Sequence, residues 1–311
     1  MSTERIIGRF SGAENGPLFI CLGGIHGNEP SGVNAISRFF AFFNSELASR
    51  PDIPFRGTVL GLRGNLQALA RGVRFLDDDL NRIMIPKVLK ELEETPEENL
   101  KTEYRELHEL LDHIHRELEQ LQPESLIILD LHTTSADGGV FSIPSQAPES
   151  LDLARHFHVP IIKGITAQLQ GTSLSLFPPR YKGIPVRAIA FEAGQNEDPN
   201  SEMRSVAAII NGLKGADCLP WDAIPNPNEK LLMDYAEGLP NISELLYVHY
   251  IHADDKFKMR PGYQNFQQIR AGEHLADDRD GPIYAMADSL MLMPLYQAQG
   301  SNGFFLVSEC K

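Results

Sequence analysis

Through the first two thirds of this 311-residue chain, short apolar runs that end in glycine or polar residues alternate with stretches of helical periodicity. PLFICLGGI, residues 17–25, has the length and composition of a buried strand feeding a tight turn. After Pro30 and Gly32, the residues Val33, Ile36, Phe39 and Phe40 recur at helical spacing, which predicts a helix packed back on that strand. RGTVLGLRG (56–64), SLIILDLH (125–132) and VRAIAFEAG (186–194) are further strand candidates. Between Lys87 and Gln122 the chain is dense in charge, yet Leu100, Tyr104, Leu107, Leu111, Ile114, Leu118 and Leu121 follow at steps of four and three. That pattern is one apolar helix face. At only about three heptads it suits a helix covering a sheet better than a coiled coil.

From about Trp221 the texture changes. AIPNPNEK reads as a turn-rich linker, and LLYVHYIHA, FQQIRAGEHLA, GPIYAMADSLMLMP and GFFLV read as short strands separated by turns. The expected organisation is an α/β domain over residues 1–222, followed by a small, mainly β domain over residues 223–311. In α/β sheets, ligands sit in crevices beyond the carboxyl ends of strands. His26, His132 and Glu192 all fall at such ends.

Charge and composition narrow the function. A formal net charge of −14 argues against a nucleic-acid partner, whose binding draws on basic surface. An anionic substrate would need local arginines to overcome that field. No run approaches the roughly eighteen apolar residues of a spanning helix, and MSTERIIGRFSG at the start lacks the apolar core of a secretion signal. A cytoplasmic protein with no membrane partner is expected, with self-association left open. Cys21, Cys218 and Cys310 have no zinc or disulfide spacing and are read as reduced, structural thiols.

The chemistry is carried by a few residues. In His26-Gly-Asn-Glu29 the imidazole and carboxylate stand three positions apart, so both can reach a common ion from one side of a turn. Catalytic zinc takes three protein ligands, and two His with one Glu is a standard set. His132 is the third candidate, and Asp130, two residues earlier on the same strand face, is placed to orient a ligand from behind. Glu192 would project into the same crevice as a proton acceptor and donor. Arg74, Asn81 and Arg82 in RGVRFLDDDLNR suit a substrate carboxylate or a developing oxyanion. Each residue also has an ordinary reading: a hydrogen-bonded core histidine, a solvated strand-end glutamate, a surface ion-pair cluster with Asp77, Asp78 and Asp79. His108, His113 and His115 resemble a metal cluster only by composition and are read as surface residues.

Taken in order, GGIHGNEPSG, RFLDDDLNR, LDLHTT and AIAFEAGQ resemble the succinylglutamate desuccinylase/aspartoacylase family of zinc hydrolases, relatives of the zinc carboxypeptidases. The resemblance spans roughly residues 17–200. It implies a mixed sheet flanked by helices with a small β domain after it. It further implies one zinc ion held by His26, Glu29 and His132, Arg74 polarising the carbonyl, Asn81 and Arg82 clamping a substrate carboxylate, and Glu192 as the catalytic glutamate. Arg180 is the candidate for an arginine reading the substrate's distal carboxylate. QGSNGFF places Phe304 and Phe305 where aspartoacylases carry a tyrosine, a departure that counts against N-acetylaspartate specificity. The expected activity is hydrolysis of an N-acylated amino acid or similar small carboxylate. The alternatives are a carboxypeptidase for short peptides, an esterase on the same site, and a non-catalytic zinc- or metabolite-binding protein.

Overall fold

In the computed structural model, residues 4–252 and 254–310 are described. The chain runs through β1 (Ile6–Ser11), β2 (Glu14–Gly23), α1 (Ser31–Ser49), β3 (Arg56–Arg63), α2 (Leu66–Arg71), α3 (Pro86–Glu94), α4 (Thr102–Leu121) and β4 (Leu126–Thr134). Next come β5 (Val140–Pro144), α5 (Pro148–Ala154), β6 (Ile161–Lys163), α6 (Ile165–Gln168), β7 (Arg180–Tyr181), β8 (Ile184–Gln195) and α7 (Ser201–Gly215). The last part holds α8 (Glu229–Ala236), β9 (Ile242–Tyr250), β10 (Lys258–Met259), β11 (Gln268–Ile269), β12 (His274–Asp278), β13 (Gly281–Tyr284), β14 (Ser289–Leu292) and β15 (Asn302–Glu309).

The sheet is mixed, in the order β1-β3-β2-β4-β8-β5-β6-β9-β15-β14-β11, with β7 folded onto β8. Strands β3, β2, β4 and β8 are parallel, and β5 returns antiparallel beside β8. Both faces of the parallel strands are buried, which is why they appear in the sequence as unbroken apolar runs. Phe19, Cys21, Ile127, Leu129, Ile189 and Phe191 point to one face, under Ile36, Phe39 and Phe43 of α1 and Ile209, Ile210 and Leu213 of α7. Leu18, Ile20, Leu22, Leu126, Ile128 and Ala188 point to the other, under Val88 and Leu92 of α3 and Leu107, Leu110, Ile114 and Leu118 of α4.

The charge-dense stretch is therefore a sheet cover, as its periodicity predicts, but it forms two helices. α3 ends at Glu94, and Pro96 separates it from α4 because proline cannot continue the hydrogen-bond ladder. α8, just past the linker, is not visible in the β-like pattern of that region. The β-rich C-terminal part joins the same sheet: β9 pairs in parallel with β6, then β15 and β14 follow antiparallel. A second sheet, β10-β12-β13, contributes Met259, Leu275 and Ala276 to a third cluster with Met291, Phe304 and Leu306. No helix among the described residues is long and apolar enough to cross a membrane.

One polar feature of α4 bears on the site. Glu103 is fully buried, and its carboxylate accepts the backbone N–H groups of Leu76 (2.7 Å), Asp77 (3.0 Å) and Asp78 (3.2 Å) and the side-chain amide of Asn65 (3.1 Å). One turn on, Glu106 accepts the N–H groups of Leu66 and Gln67 and pairs with Arg5. Thus α4 does more than cover apolar strands. It fixes the loop that carries Arg74, Asn81 and Arg82 by satisfying backbone donors that would otherwise be buried unpaired. Replacing Glu103 by Ala leaves those donors unsatisfied and is expected to cost roughly 2–4 kcal/mol of stability. Hydrogen exchange at Leu76–Asp78 should accelerate with it, and unchanged protection there would show that the carboxylate does not hold the loop.

Candidate metal centre and cavity

His26 and Glu29 lie on the turn between β2 and α1, and this turn is built around glycine. Gly24 has φ +72°, a left-handed conformation that side chains disfavour, and a Cβ on Gly27 would lie 2.1 Å from the backbone of Ala68. That close approach lets the Gly27 N–H donate to the carbonyl of Arg74 at 3.2 Å, joining the two motifs through the backbone. His132 comes from β4 and Glu192 from β8, and the two are register partners on adjacent parallel strands. Asp130, His132, Ala190 and Glu192 share the sheet face that α4 covers, because side chains on a strand alternate.

The Glu29 carboxylate joins these pieces. Oε1 lies 2.9 Å from His26 Nδ1 and accepts from Arg74 Nη1 at 3.3 Å. Oε2 lies 3.0 Å from His132 Nδ1 and accepts the Thr133 N–H at 3.1 Å. Behind the imidazoles stand two aspartates: His26 Nε2 contacts Asp79 at 3.1 Å, and His132 Nε2 contacts Asp130 at 2.9 Å. Asp79 also accepts from Arg74 Nε at 3.3 Å and from the Asn81 N–H at 2.9 Å, while Ser173 Oγ donates to Asp130.

The buried His26, Glu29 and His132 could hold a metal ion, since one ligand atom from each lies within 4.8 Å of the others. With the Nε2 protons given to the aspartates, both Nδ1 lone pairs face Glu29, and a cation between them makes that geometry favourable. Histidine ligands are typically oriented this way, by a carboxylate on the far nitrogen. The charge balance agrees: the four carboxylates Glu29, Asp79, Asp130 and Glu192 gather around the two imidazoles and, among the described residues lining the cavity, the guanidinium groups of Arg74 and Arg82. Burial alone would raise the Glu29 carboxyl and lower the His132 imidazole. The neighbouring opposite charges outweigh it, holding Glu29 well below the usual carboxylate range and His132 well above the usual imidazole range. Asp79 is likewise held far down, chiefly by His26, against its own burial.

Glu192 differs from its neighbours in that neither imidazole nor arginine bonds it, whereas Asp130 leaves only Oδ1 without a partner. Glu192 is 7 % exposed and its Oε2 is buried without a hydrogen-bond partner. Burial first, then the negative charges of Glu29 and Asp130, push its carboxyl up to about 7, with His132 and Arg74 opposing. A carboxyl poised near neutrality beside a group that could hold a metal ion is suited to taking and giving a proton.

Arg74, Asn81 and Arg82 all line the cavity over this cluster. Arg82 donates to the Asn302 side chain at 2.7 Å, the Ser301 hydroxyl at 3.3 Å and the Asn81 carbonyl at 2.7 Å. Asn81 accepts the Ser173 N–H through Oδ1 at 2.9 Å, which leaves its amide nitrogen for a ligand. Part of the roof is the segment after β14: Asn28 donates to Gln297, and Gln299 donates to the Phe75 carbonyl. Arg180 is not brought to this cavity. It sits exposed on the β7–β8 hairpin, where a turn through Lys182 and Gly183, both with positive φ, directs its guanidinium to the Gly183 carbonyl. Of the two phenylalanines, Phe305 lines the cavity, whereas Phe304 is buried in the third cluster, stacked on His249. His108 and His113 join no metal-binding group among the described residues, and His115 bonds the Tyr181 hydroxyl instead.

Three contributors are absent from the sequence reading. Asp79, one of three consecutive aspartates with an ordinary surface ion-pair reading, turns inward to His26 and Arg74. Ser173 and Asn302 carry no local signal, because they reach Asp130 and Arg82 only through the fold.

Comparison with known proteins agrees with this picture. The family model described as the succinylglutamate desuccinylase/aspartoacylase catalytic domain matches residues 15–204. Among curated proteins the sequence finds no match. Among solved structures, succinylglutamate desuccinylase from Vibrio cholerae has a TM-score of 0.60 at 17 % identity, covering 95 % of this chain and 82 % of that one. Succinylglutamate desuccinylase/aspartoacylase from Rhodobacter sphaeroides has a TM-score of 0.61 at 18 % identity, covering 97 % and 88 %. The ectoine utilization protein EutE from Ruegeria pomeroyi, in a product-bound structure, has a TM-score of 0.62 at 15 % identity, covering 96 % and 87 %. At such identities the structures speak for the fold, and the match over residues 15–204 adds the family: the chain belongs to the succinylglutamate desuccinylase/aspartoacylase hydrolases.

Proposed function

We propose that this protein is a zinc-dependent hydrolase that cleaves the amide bond of an N-acylated amino acid or similar small carboxylate. The observation that carries the reading is the unpartnered carboxyl of Glu192 beside His132, on the strand next to a three-donor set that its aspartates orient. His26, Glu29 and His132 would hold the ion. When bound, zinc supplies Lewis acidity, which polarises an acyl carbonyl and makes water acidic near neutral pH.

The chain's own residues do the rest. Arg74, fixed by Asp79 and Glu29, presents its remaining donors to the oxygen that gains charge as the carbonyl is attacked. Glu192 takes the proton of the attacking water and later returns it to the leaving amine. Asn81 and Arg82 hold the substrate carboxylate, with Arg82 braced by Asn302 and Ser301.

Glu192→Gln keeps the size of the side chain and removes its proton chemistry. With metal content verified, kcat on an N-acyl amino acid should fall by about 10²–10⁴, and a variant that turns over like wild type would falsify this assignment. Short peptides assayed alongside separate a deacylase from a carboxypeptidase.

Metal dependence is read independently by stability. At a hundredfold excess over its dissociation constant, zinc should add about 2.7 kcal/mol, seen as a rise in Tm of several degrees after chelator treatment. His132→Ala should abolish that rise. An equal rise in wild type and variant would place the ion elsewhere.

A further inference from the structure

The cavity lining is of two chemical kinds. Polar side chains comprise the donor set, Glu192, the Arg74–Asn81–Arg82 group and uncharged residues such as Thr134, Thr172 and Gln297; apolar wall comes from Ile143, Ile165, Leu174, Ala190, Met293 and Phe305. Strand register brings the reacting carboxyl and an apolar end together. Ala190 lies two residues before Glu192 on the same face of β8, and Ile143 is its partner on β5. The apolar end therefore begins one step along the strand from the reacting carboxyl, close enough to receive part of the same small molecule.

The cations decide what that part is. Among the described residues lining the cavity, the side chains of fixed positive charge are Arg74 and Arg82. Arg74 already serves Asp79 and Glu29, and Arg82 with Asn81 is left to meet one carboxylate. Arg180, the candidate for a second, is outside. A second carboxylate placed among Ile143, Leu174 and Phe305 would lose its hydration with no partner to replace it. The net charge of −14 also disfavours a dianion at a distance.

We infer that the substrate carries a single carboxylate and one apolar group, the carboxylate held at Asn81 and Arg82 and the apolar group seated against Ile143, Ala190 and Phe305. The enzyme is thus a hydrolase for apolar N-acyl amino acids rather than for acylated dicarboxylic amino acids. This rests on the hydrolase reading above.

The test compares N-acetyl-leucine, N-acetyl-phenylalanine and N-hexanoyl-glycine with N-acetyl-aspartate and N-succinyl-glutamate. Turnover is measured on the metal-loaded wild type, and binding is measured by calorimetry on Glu192→Gln. The first two compounds against the third tell whether the apolar group is the side chain or the acyl chain. An apolar pocket discriminates about 10- to 200-fold per methylene, so the apolar compounds should lead by at least about tenfold in both kcat/KM and affinity. Met293→Lys, at a partly exposed position of the apolar end, should shift the preference toward the two dicarboxylates. Binding of the apolar compounds without turnover by wild type would uphold this inference and overturn the hydrolase reading. Turnover favouring the dicarboxylates would do the reverse, and failure of the apolar compounds to bind would overturn this inference alone.

Discussion

A buried carboxylate shared by two imidazoles is the constraint on which the rest of the site depends. Glu29 is 3 % exposed, and burying its charge is tolerable only because His26, His132, Arg74 and the Thr133 N–H meet it from separate segments. The same contacts fix the β2–α1 turn, the end of β4 and the 74–82 loop relative to one another. Geometry and charge are therefore not separable here. Moving any of these segments leaves a buried charge without its partner, which costs more than a lost surface ion pair.

The surrounding carboxylates sort into two kinds by what touches them. Asp79 and Asp130 are each engaged by an imidazole and by Arg74 or Ser173, and so they orient the rings. Glu192 is buried and has none of those partners. A donor to Glu192 would have lowered its proton affinity and removed it from acid/base work. Its isolation is as much a feature of the site as the bonds of its neighbours. Since Asp130 and Glu192 lie on the face covered by α4 and Asp79 in the loop beside it, that helix closes the hydrophobic side of the sheet and, through Glu103, the polar loop.

Much of this was legible in the sequence, and what escaped did so for physical reasons. The strands 17–25, 125–132 and 186–194 are apolar on both faces, so their lengths and glycine boundaries mark them, and their final polar residues mark the crevice. That makes His26, His132 and Glu192 candidates, the three-residue spacing adds Glu29, and their roles come from the resemblance that the motifs carry together. Asp79 does not stand out, because in a run of three aspartates nothing local tells which one a short 3₁₀ turn directs inward. Asn302 braces Arg82 across 220 positions, a contact that only the completed sheet creates. Arg180 stands at a suggestive distance before Glu192, but distance along a chain that reverses through a hairpin says little about direction.

The C-terminal part explains why such contacts exist at all. Because β9 adds in parallel to β6 and β15 pairs with β9, residues after 290 return over the carboxyl ends of β4 and β8 instead of lying apart from them. There Gln297, Ser301 and Asn302 tie to Asn28 and Arg82, while Met293 and Phe305 become cavity wall. The donor set and Glu192 thus come from the stretch matched by the family model over residues 15–204, and part of the cavity wall, including Met293 and Phe305, comes from segments that follow it. A change of wall leaves the reacting groups in place, since no hydrogen bond to His26, Glu29 or His132 comes from beyond residue 195 among the described residues. One frame of two imidazoles and a carboxylate can in this way serve substrates that differ at the end remote from the scissile bond.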